Sequence, residues 1–596
     1  MFKLNPIVVN KDGSLANTQT SFFNAYDDLP ERYKKDLLKG WAGIFRILIM
    51  PFINEKPYSV LYSDYESRPN VPVNYILGAL IIKMIKGIAT DDDLRERFCY
   101  DVSFRYALCC EHLRKPPFSD NILTNFRQAC IVYYIDTGID LIYNTFLELT
   151  DSFSELMDID KSILTIDSTM VDMYAKNLSR LDLLYINNEL IIQEITGFVI
   201  HKRPVKSTSV KPVIDINEGQ LTVLESDKDG TEKKKETENK RNQDRMDAEK
   251  KIPESLHNYL HADNKNKVTY HLDVAYEDRI NAVIADAQKI IDFCEEHPEY
   301  KETKAYSNFV RIINEQCKRN DNGALELRAK GEGMGSGITQ SPYDTDATYR
   351  DKDKQKHRGY STAFTQARNE DGESLVMDYN VDKNNVSDQT LGADLMKRME
   401  TANPEDKAKL VGDGLFNSDE MQEIASEKNI EIINTNLTGK KPADHCADHE
   451  FNDDGSLKKC AGGHEPVTTK MNKDGSCTAK FEKEACVNCP FKDQCKLKEQ
   501  KRYNSLKIST KAKERAQEIR NRGNEEFKEL SHIRNGVETI PSMLKNKYHV
   551  DKIRGGGLPT KTFFIGIAYI AINVSKVMRF LSRRIKCAQN QGYQYL

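Results

Sequence analysis

A chain of 596 residues, 39% hydrophobic and 30% charged with a mean hydropathy of −0.63, has room for about two to four globular domains and excludes both a chain dominated by disorder and a multi-span membrane protein. The net charge of −4 hides an asymmetry: residues 501–596 hold 20 Lys plus Arg against 7 Asp plus Glu, a surplus of 13, which leaves −17 on the first 500. Basic helices are often only solvated faces, but a surplus this concentrated favours a polyanionic partner with a phosphate backbone.

The N-terminus "MFKLNPIVVN" has no charged region followed by an apolar stretch and a small-residue cleavage site, so no secretory signal is expected. With no such signal, thirteen cysteines, an odd number, point to a reducing, cytoplasmic compartment where thiols bind metal or fill cores. Residues from about 60 to 130 read as short helices within an all-helical N-terminal domain (1–150). "VPVNYILGALIIKMIKGI" has Pro72 near its start and ends at Gly87, and Thr90 caps a single helix through "DDDLRERFCYDVSFRYALCC". "FSDNILTNFRQACIVYYI" follows with Ser119 or Asp120 as its N-cap. Such a unit suits a DNA-docking module and equally any small helical bundle.

After Asp160 the period changes to that of strands. "SILTIDSTMVDMY" is rich in β-branched residues and carries one acid, Asp167, inside its apolar run. Strands are also expected in "GYSTAFTQAR" and "ESLVMDYNV", joined by the turn "NEDG", in "KLVGDG" up to Asp413, and in "IEIINT", with a helix capped by Ser418 before the last. The fold class expected is α/β: a mixed sheet with helices, split over 155–175, 350–440 and 511–590, with a charged helical insertion at 176–349 and a Cys-rich insertion at 441–510. Within the first insertion, "TEKKKETENKRNQDRMDAEKKI" reads as a charge-mixed stretch, helical or partly disordered, with a solvated face. The longest apolar run, Phe563–Val574, lies between Lys561 and Lys576, is too short to span a bilayer and reads as a buried helix.

Asp167, Asp413 and Glu538 are the candidate acids for chemistry, although any strand may end in a polar Asp. Carboxylates on adjacent strand ends converge at one edge of a sheet, and hard divalent cations prefer such oxygens while keeping places for water and phosphate. Arg534, Glu538 and Lys545 stand at i, i+4 and i+11, within roughly 40° of one another on a helix of 100° per residue, and Lys547 and Arg554 continue the basic run. The bland alternative is a surface Arg–Glu pair worth a few tenths of a kcal/mol.

The spacing R-x3-E-x6-K over Arg534, Glu538 and Lys545 resembles the signature of bacterial insertion-sequence transposases of the DDE type, the group marked by Tyr, Arg, Glu and Lys around the last acid. "YSDYESRPNVPVNYILGALIIKMIKGIATDDDLRERFCYDVSFRYALC" with "SDNILTNFR" resembles their InsH-type N-terminal domain. "IDSTMVDMYAKN", "VGDGLFNSDEMQEIASEKNIEII" and "GGGLPTKTFFIGIAYIAINVSKVMRF" resemble the first-Asp strand, the second-Asp segment and the closing helix. The resemblance implies a ribonuclease H-like domain with two Mg²⁺ or Mn²⁺ ions on Asp167, Asp413 and Glu538. It implies cutting of double-stranded DNA at terminal inverted repeats and joining of the 3′-OH to target DNA, with Arg534, Lys545, Lys547 and Arg554 on phosphates. It also implies a homodimer when assembled on DNA, and no membrane. Three features depart from the pattern: the Tyr position falls on Ser531, Pro541 interrupts the helix after Glu538, and Gly414 comes one place early with Phe416 in place of Tyr. An inactivated DNA-binding derivative, or a nuclease that cuts without joining, therefore stays open.

Cys486-x2-Cys489-Pro with Cys495, and Cys460 upstream, form a thiolate set suited to a structural Zn²⁺ in a unit too small for its own core, and similar transposases carry a like segment. His445, Cys446, His449, His464 and Cys477 compete as ligands.

Overall fold

The computed structural model describes residues 2–590 apart from 11, 17–25, 27, 64, 66–68, 111–116, 120, 175–177, 200–212, 216–221, 225–241, 271–272, 353, 400–406 and 437–440. Part of the charge-mixed stretch of the first insertion lies outside the described residues; 242–249 is helical and mostly exposed.

The N-terminal region is all helical. Helix α1 (Val73–Lys86) ends where Gly87 turns left-handed at φ 65°, and α2 (Asp91–Tyr100) starts on Thr90, whose side chain accepts the Asp93 N–H at 3.0 Å. The two are bent 105° apart. The single helix expected after Thr90 is broken: Asp101 leaves helical geometry and caps α3 (Val102–Ala107) by accepting the Ser103 N–H at 2.8 Å. Helix α4 (Ile122–Thr137) has Asn121 at its N-cap position with no side-chain cap, so Ser119 does not serve, and Asp120 lies outside the described residues. Asp91 takes Lys83 from α1 at 2.5 Å and Arg127 from α4, and so ties the three helices together. Helix α5 (Leu141–Met157) leads to the sheet.

Six strands build that sheet: β1 (Asp160–Asp172), β2 (Thr348–Lys352), β3 (Gln355–Arg368), β4 (Ser374–Lys383), β5 (Ala408–Gly412) and β6 (Ile430–Asn434). β3 pairs antiparallel with β1, β2 and β4, whereas β5 runs parallel to β1 and β6 parallel to β5. The "NEDG" turn closes the β3–β4 hairpin with Gly372 at φ 79°. β2 was not foreseen, because "TYRDK" is charged and only half-buried. One face of the sheet is covered by α9 (Asp388–Arg398) and α10 (Asp419–Glu427), which bury Leu391, Leu395, Met421 and Ile424 against Ile166, Ala363 and Leu410. Ser418 caps α10 through the Met421 N–H at 3.2 Å, as expected.

The other face meets α13 (Leu558–Asn590), whose Ile565, Tyr569, Ile572 and Val577 share one continuous core with Phe146 and Leu149 of α5 and Ile76 and Leu80 of α1. The stretch Leu558–Ile585 is long and apolar enough to cross a bilayer, and 72% of its most apolar window is buried inside the molecule. The length argument against a membrane span is thus corrected, and burial replaces it. Lys561 and Lys576, which flank the apolar run, and Asn573 within it are buried with partners: Lys561 Nζ donates to Ile553 O at 2.9 Å and Lys576 Nζ to Ser374 Oγ at 2.8 Å. Asn573 accepts the Val376 N–H at 2.9 Å and donates to Val376 O at 2.7 Å, satisfying β4 where its register with β3 slips.

The first insertion has a core of its own, in which α6 (Arg180–Thr196), α7 (Tyr276–Glu296) and α8 (Lys304–Gln316) bury Leu184, Ile192, Ile284, Ile291 and Phe309. The Cys-rich unit is a four-stranded antiparallel sheet of β7 (Thr468–Met471), β8 (Cys477–Glu482), β9 (Lys498–Glu499) and β10 (Tyr503–Ile508). It leads into α11 (Thr510–Asn521) and α12 (Glu525–Asn535).

Candidate active site and metal centres

Strand register brings the first two acids together. Ile163, Leu164 and Thr165 pair with Lys409, Leu410 and Val411, so Asp413, one residue past the end of β5, comes level with Asp167. Both stand two residues beyond the last pair and therefore on the same face. The approach depends on Gly412, where a Cβ would lie 2.8 Å from Ile166 Cγ2 and 3.2 Å from Phe416 Cβ. Phe416 is buried in the α9–α10 core, so its ring closes the turn from below and is not offered to a ligand. The Leu415 N–H donates to Asp413 Oδ1 at 2.9 Å and the Ser168 N–H to Asp167 Oδ1 at 2.9 Å, fixing both carboxylates.

Glu538 arrives from the C-terminal side. α12 ends against Gly536, where any Cβ would strike the Arg368 guanidinium, whose Nη2 donates to Ile533 O at 2.8 Å. The chain then tightens into a 3₁₀ turn, Gly536–Glu538, packed on β1. A short α segment, Thr539–Ser542, and a π-helical turn, Met543–Lys547, follow. That change of pitch fits Pro541, which has no N–H to give Val537. Val537, Ile540 and Leu544 are buried and anchor the segment. Arg534 Nη1 donates to Glu538 Oε1 at 3.1 Å, with the Arg side chain 12% exposed and the Glu 65%.

Burial raises the pKa of Asp167 above the ordinary carboxyl value; the Ser168 N–H and Arg534 oppose the rise, and Asp413 and Glu538 add to it. Asp413 and Glu538 are thus near enough to act on Asp167, and carboxylate oxygens are the donors a hard divalent cation prefers, but among the described residues the three acids do not form a group with ligand atoms within 4.8 Å of one another. Lys545 is half-buried on the π turn beyond Pro541, while Lys547 and Arg554 are exposed. Lys547 Nζ lies 4.9 Å from the Tyr548 ring centroid, and the Arg554 guanidinium 6.0 Å from that of Tyr174, just past the end of β1. Arg368 is the residue that sequence reasoning missed here: nothing local marks it, because its part is set by a helix end 165 residues away.

In the Cys-rich unit, Cys460, Cys486 and Cys489 lie near enough to act on Cys495, but among the described residues the group with ligand atoms within 4.8 Å of one another is His445, Cys446 and His449, not the four cysteines. Burial pushes the Cys495 thiol up to about 11, with Cys460, Cys489, Cys486 and Cys446 each adding to the rise. A Cβ on Gly462 would meet both Cys489 Sγ, at 2.8 Å, and Cys460 Sγ, at 3.7 Å, so these two sulfurs face the same glycine. A Zn²⁺ ion would take such thiols as thiolates. Of the competitors, Cys477 is fully buried and accepts the Leu457 N–H at 3.4 Å, which makes it a core residue, and His464 borders the Gly462 turn. His445, Cys446 and His449 form a second group, whose ligand atoms lie within 4.8 Å of one another and could hold a metal. Burial, with His445 adding, pushes the His449 imidazole down to about 4, so it is neutral at pH 7.

Residues 459–578 match a family model described as a transposase DDE domain, and residues 43–129 one described as a transposase domain (DUF772). No curated protein and no solved structure matches the chain. The first match contains the four cysteines, Arg534, Glu538 and Lys545, whereas Asp167 and Asp413 lie outside it. The two matches cover separate parts of the chain and together support a transposase-type architecture.

Proposed function

We propose that this chain is an insertion-sequence transposase of the DDE type, which cuts DNA at the ends of its element and joins the freed 3′-OH to target DNA. The observation that carries the proposal is the register that sets Asp413 beside Asp167, with Glu538 in the same field, in a chain that matches transposase models at 43–129 and 459–578. The sheet order β4-β3-β1-β5-β6, antiparallel up to β1 and parallel after it, is that of a ribonuclease H-like domain and supports this reading.

Asp167, Asp413 and Glu538 are the residues that would hold two Mg²⁺ or Mn²⁺ ions, which supply activation of the attacking oxygen and stabilisation of the leaving one. Asp167 is rigid in mid-strand, and Asp413 is fixed by the Leu415 N–H. Glu538 stands on the exposed side, where a DNA backbone has to approach, and Arg534 orients it. Arg534, Lys545, Lys547 and Arg554 contact phosphates on either side of the cut and set the position of the DNA. Attack by water and then by the 3′-OH needs no covalent protein intermediate. The four cysteines hold a structural Zn²⁺ with no open position, and pairing of two DNA ends calls for a homodimer.

The test is cutting and joining of labelled DNA carrying the element's own ends, comparing the native protein with Glu538→Gln. Metal-dependent nicks and joined products that vanish in the variant support the proposal. Cutting without joined products makes the protein a hydrolytic nuclease, and binding without cutting makes it an inactivated derivative.

A further inference from the structure

We infer that the turn around His445–His449 holds a transition-metal ion of its own, through His445 Nδ1, Cys446 Sγ and His449 Nε2, separate from the ion assigned above to the four cysteines. The inference rests on that assignment, because four thiolates complete one tetrahedral shell and leave these three donors no share in it. Each of the three residues offers a ligand atom within 4.8 Å of the others. Both rings are buried, His445 4% and His449 1% exposed, and His445 Nδ1 and His449 Nε2 are buried without a hydrogen-bond partner among the described residues. Burying an imidazole nitrogen with no partner is costly, and a cation between two such nitrogens and a thiolate removes the cost.

The scaffold is already rigid. Arg520 of α11 donates to both carboxylate oxygens of Asp444, at 2.8 and 2.9 Å, and to both of Asp448, at 2.5 and 2.6 Å, clamping the two ends of the turn. His445 stacks on Phe491 with centroids 5.4 Å apart and meets His449 edge-on at 5.9 Å. Two imidazoles and one thiolate are the donor set of a borderline divalent ion, Zn²⁺ first, with the fourth tetrahedral place left to solvent. Loading releases the Cys446 thiol proton to solvent. The Ala461 N–H donates to His449 Nδ1 at 2.7 Å, so the neutral ring carries its proton on Nε2. Binding through Nε2 moves that proton to Nδ1, which turns this nitrogen from acceptor to donor, so the Ala461 N–H loses its partner and the 460–461 backbone has to turn away from the ring.

The test is metal content per chain in the purified full-length protein, measured by elemental mass spectrometry after loading with Zn²⁺ alone. Two ions are expected in the native protein, one in Cys446→Ser/His449→Gln and one in Cys486→Ser/Cys489→Ser. A native count of one, or a Cys446→Ser/His449→Gln variant that keeps the native count, overturns the inference. A Cys486→Ser/Cys489→Ser variant that keeps the native count removes the four-cysteine assignment instead, and the inference that rests on it. Because either variant can fail to fold, the native protein is also loaded with Co²⁺. Two sets of d–d bands are expected, one of them of mixed nitrogen and sulfur character, and absence of the mixed set overturns the inference without any substitution.

Discussion

Asp167 shows why the site works as a group of side chains. Its carboxyl is raised by burial, and Asp413 and Glu538 hold it up further, so in the metal-free protein it keeps its proton to higher pH than an ordinary Asp. A divalent cation needs the anion, and its apparent affinity therefore falls as pH drops through that raised value. DNA cutting at limiting Mg²⁺ is expected to fade on acidification above the usual Asp range, and a tenfold rise in Mg²⁺ is expected to move the fade to lower pH; a pH–rate profile at two Mg²⁺ concentrations checks this. Lys576 gives the opposite case. Burial, with Arg368 and Arg579 beside it, lowers its pKa to about 7. Between about 7 and its ordinary value of 10.5 the unfolded chain binds more protons than the folded one, so this group makes stability rise with pH across that window. Lys576→Met should raise the melting temperature most at and below pH 7 and flatten that rise, read by thermal scans from pH 6 to 10. The Arg534–Glu538 pair could be picked out from residue type and spacing. Arg368, Arg520 and the partners of Lys576 could not, because each is defined by a contact across more than seventy positions of chain.

Elements were legible where the pattern is local. β1, β3, β4, β5 and β6 announce themselves by β-branched runs bounded by Gly, Asn and Asp, and Thr90 and Ser418 cap the helices expected of them. The break at Asp101 was missed because Asp inside a helical run also reads as a surface acid, and only its extended backbone makes it a cap. Two positions show what the elements demand of single residues. Gly359 has φ 146°, and a Cβ there would lie 2.3 Å from Val171 O and 2.7 Å from Met173 N, backbone atoms that cannot turn aside. Gly359→Ala is expected to cost more than about 2 kcal/mol by strain and clash, measured as a lower urea midpoint at unchanged slope. Asn573→Ala leaves the Val376 N–H and C=O buried without partners, and at about 1–3 kcal/mol for each such group the loss should be about 2–6 kcal/mol in the same measurement.

At the scale of the whole molecule, α13 joins regions that the sequence presents as separate. It is sheathed by the N-terminal helices on one side and the sheet on the other, which is why a stretch long enough for a bilayer is mostly buried within the protein. Removing residues 558–596 should therefore unfold the N-terminal helices together with the sheet, seen as loss of the cooperative melting transition and of DNA binding. The three acids come from strands and a turn that are 246 and 125 residues apart in sequence, and only the parallel pairing of β5 with β1 and the packing of the Gly536–Glu538 turn on β1 unite them. Whether they serve one metal-dependent reaction is tested most directly by a change of metal preference. Asp413→Cys puts a soft sulfur where a hard oxygen stood, so DNA cutting should disappear with Mg²⁺ and return with Mn²⁺, while Glu538→Gln should be inactive with either. Cutting by Asp413→Cys at the native rate with Mg²⁺ would contradict the account, because Asp413 would then hold no catalytic ion.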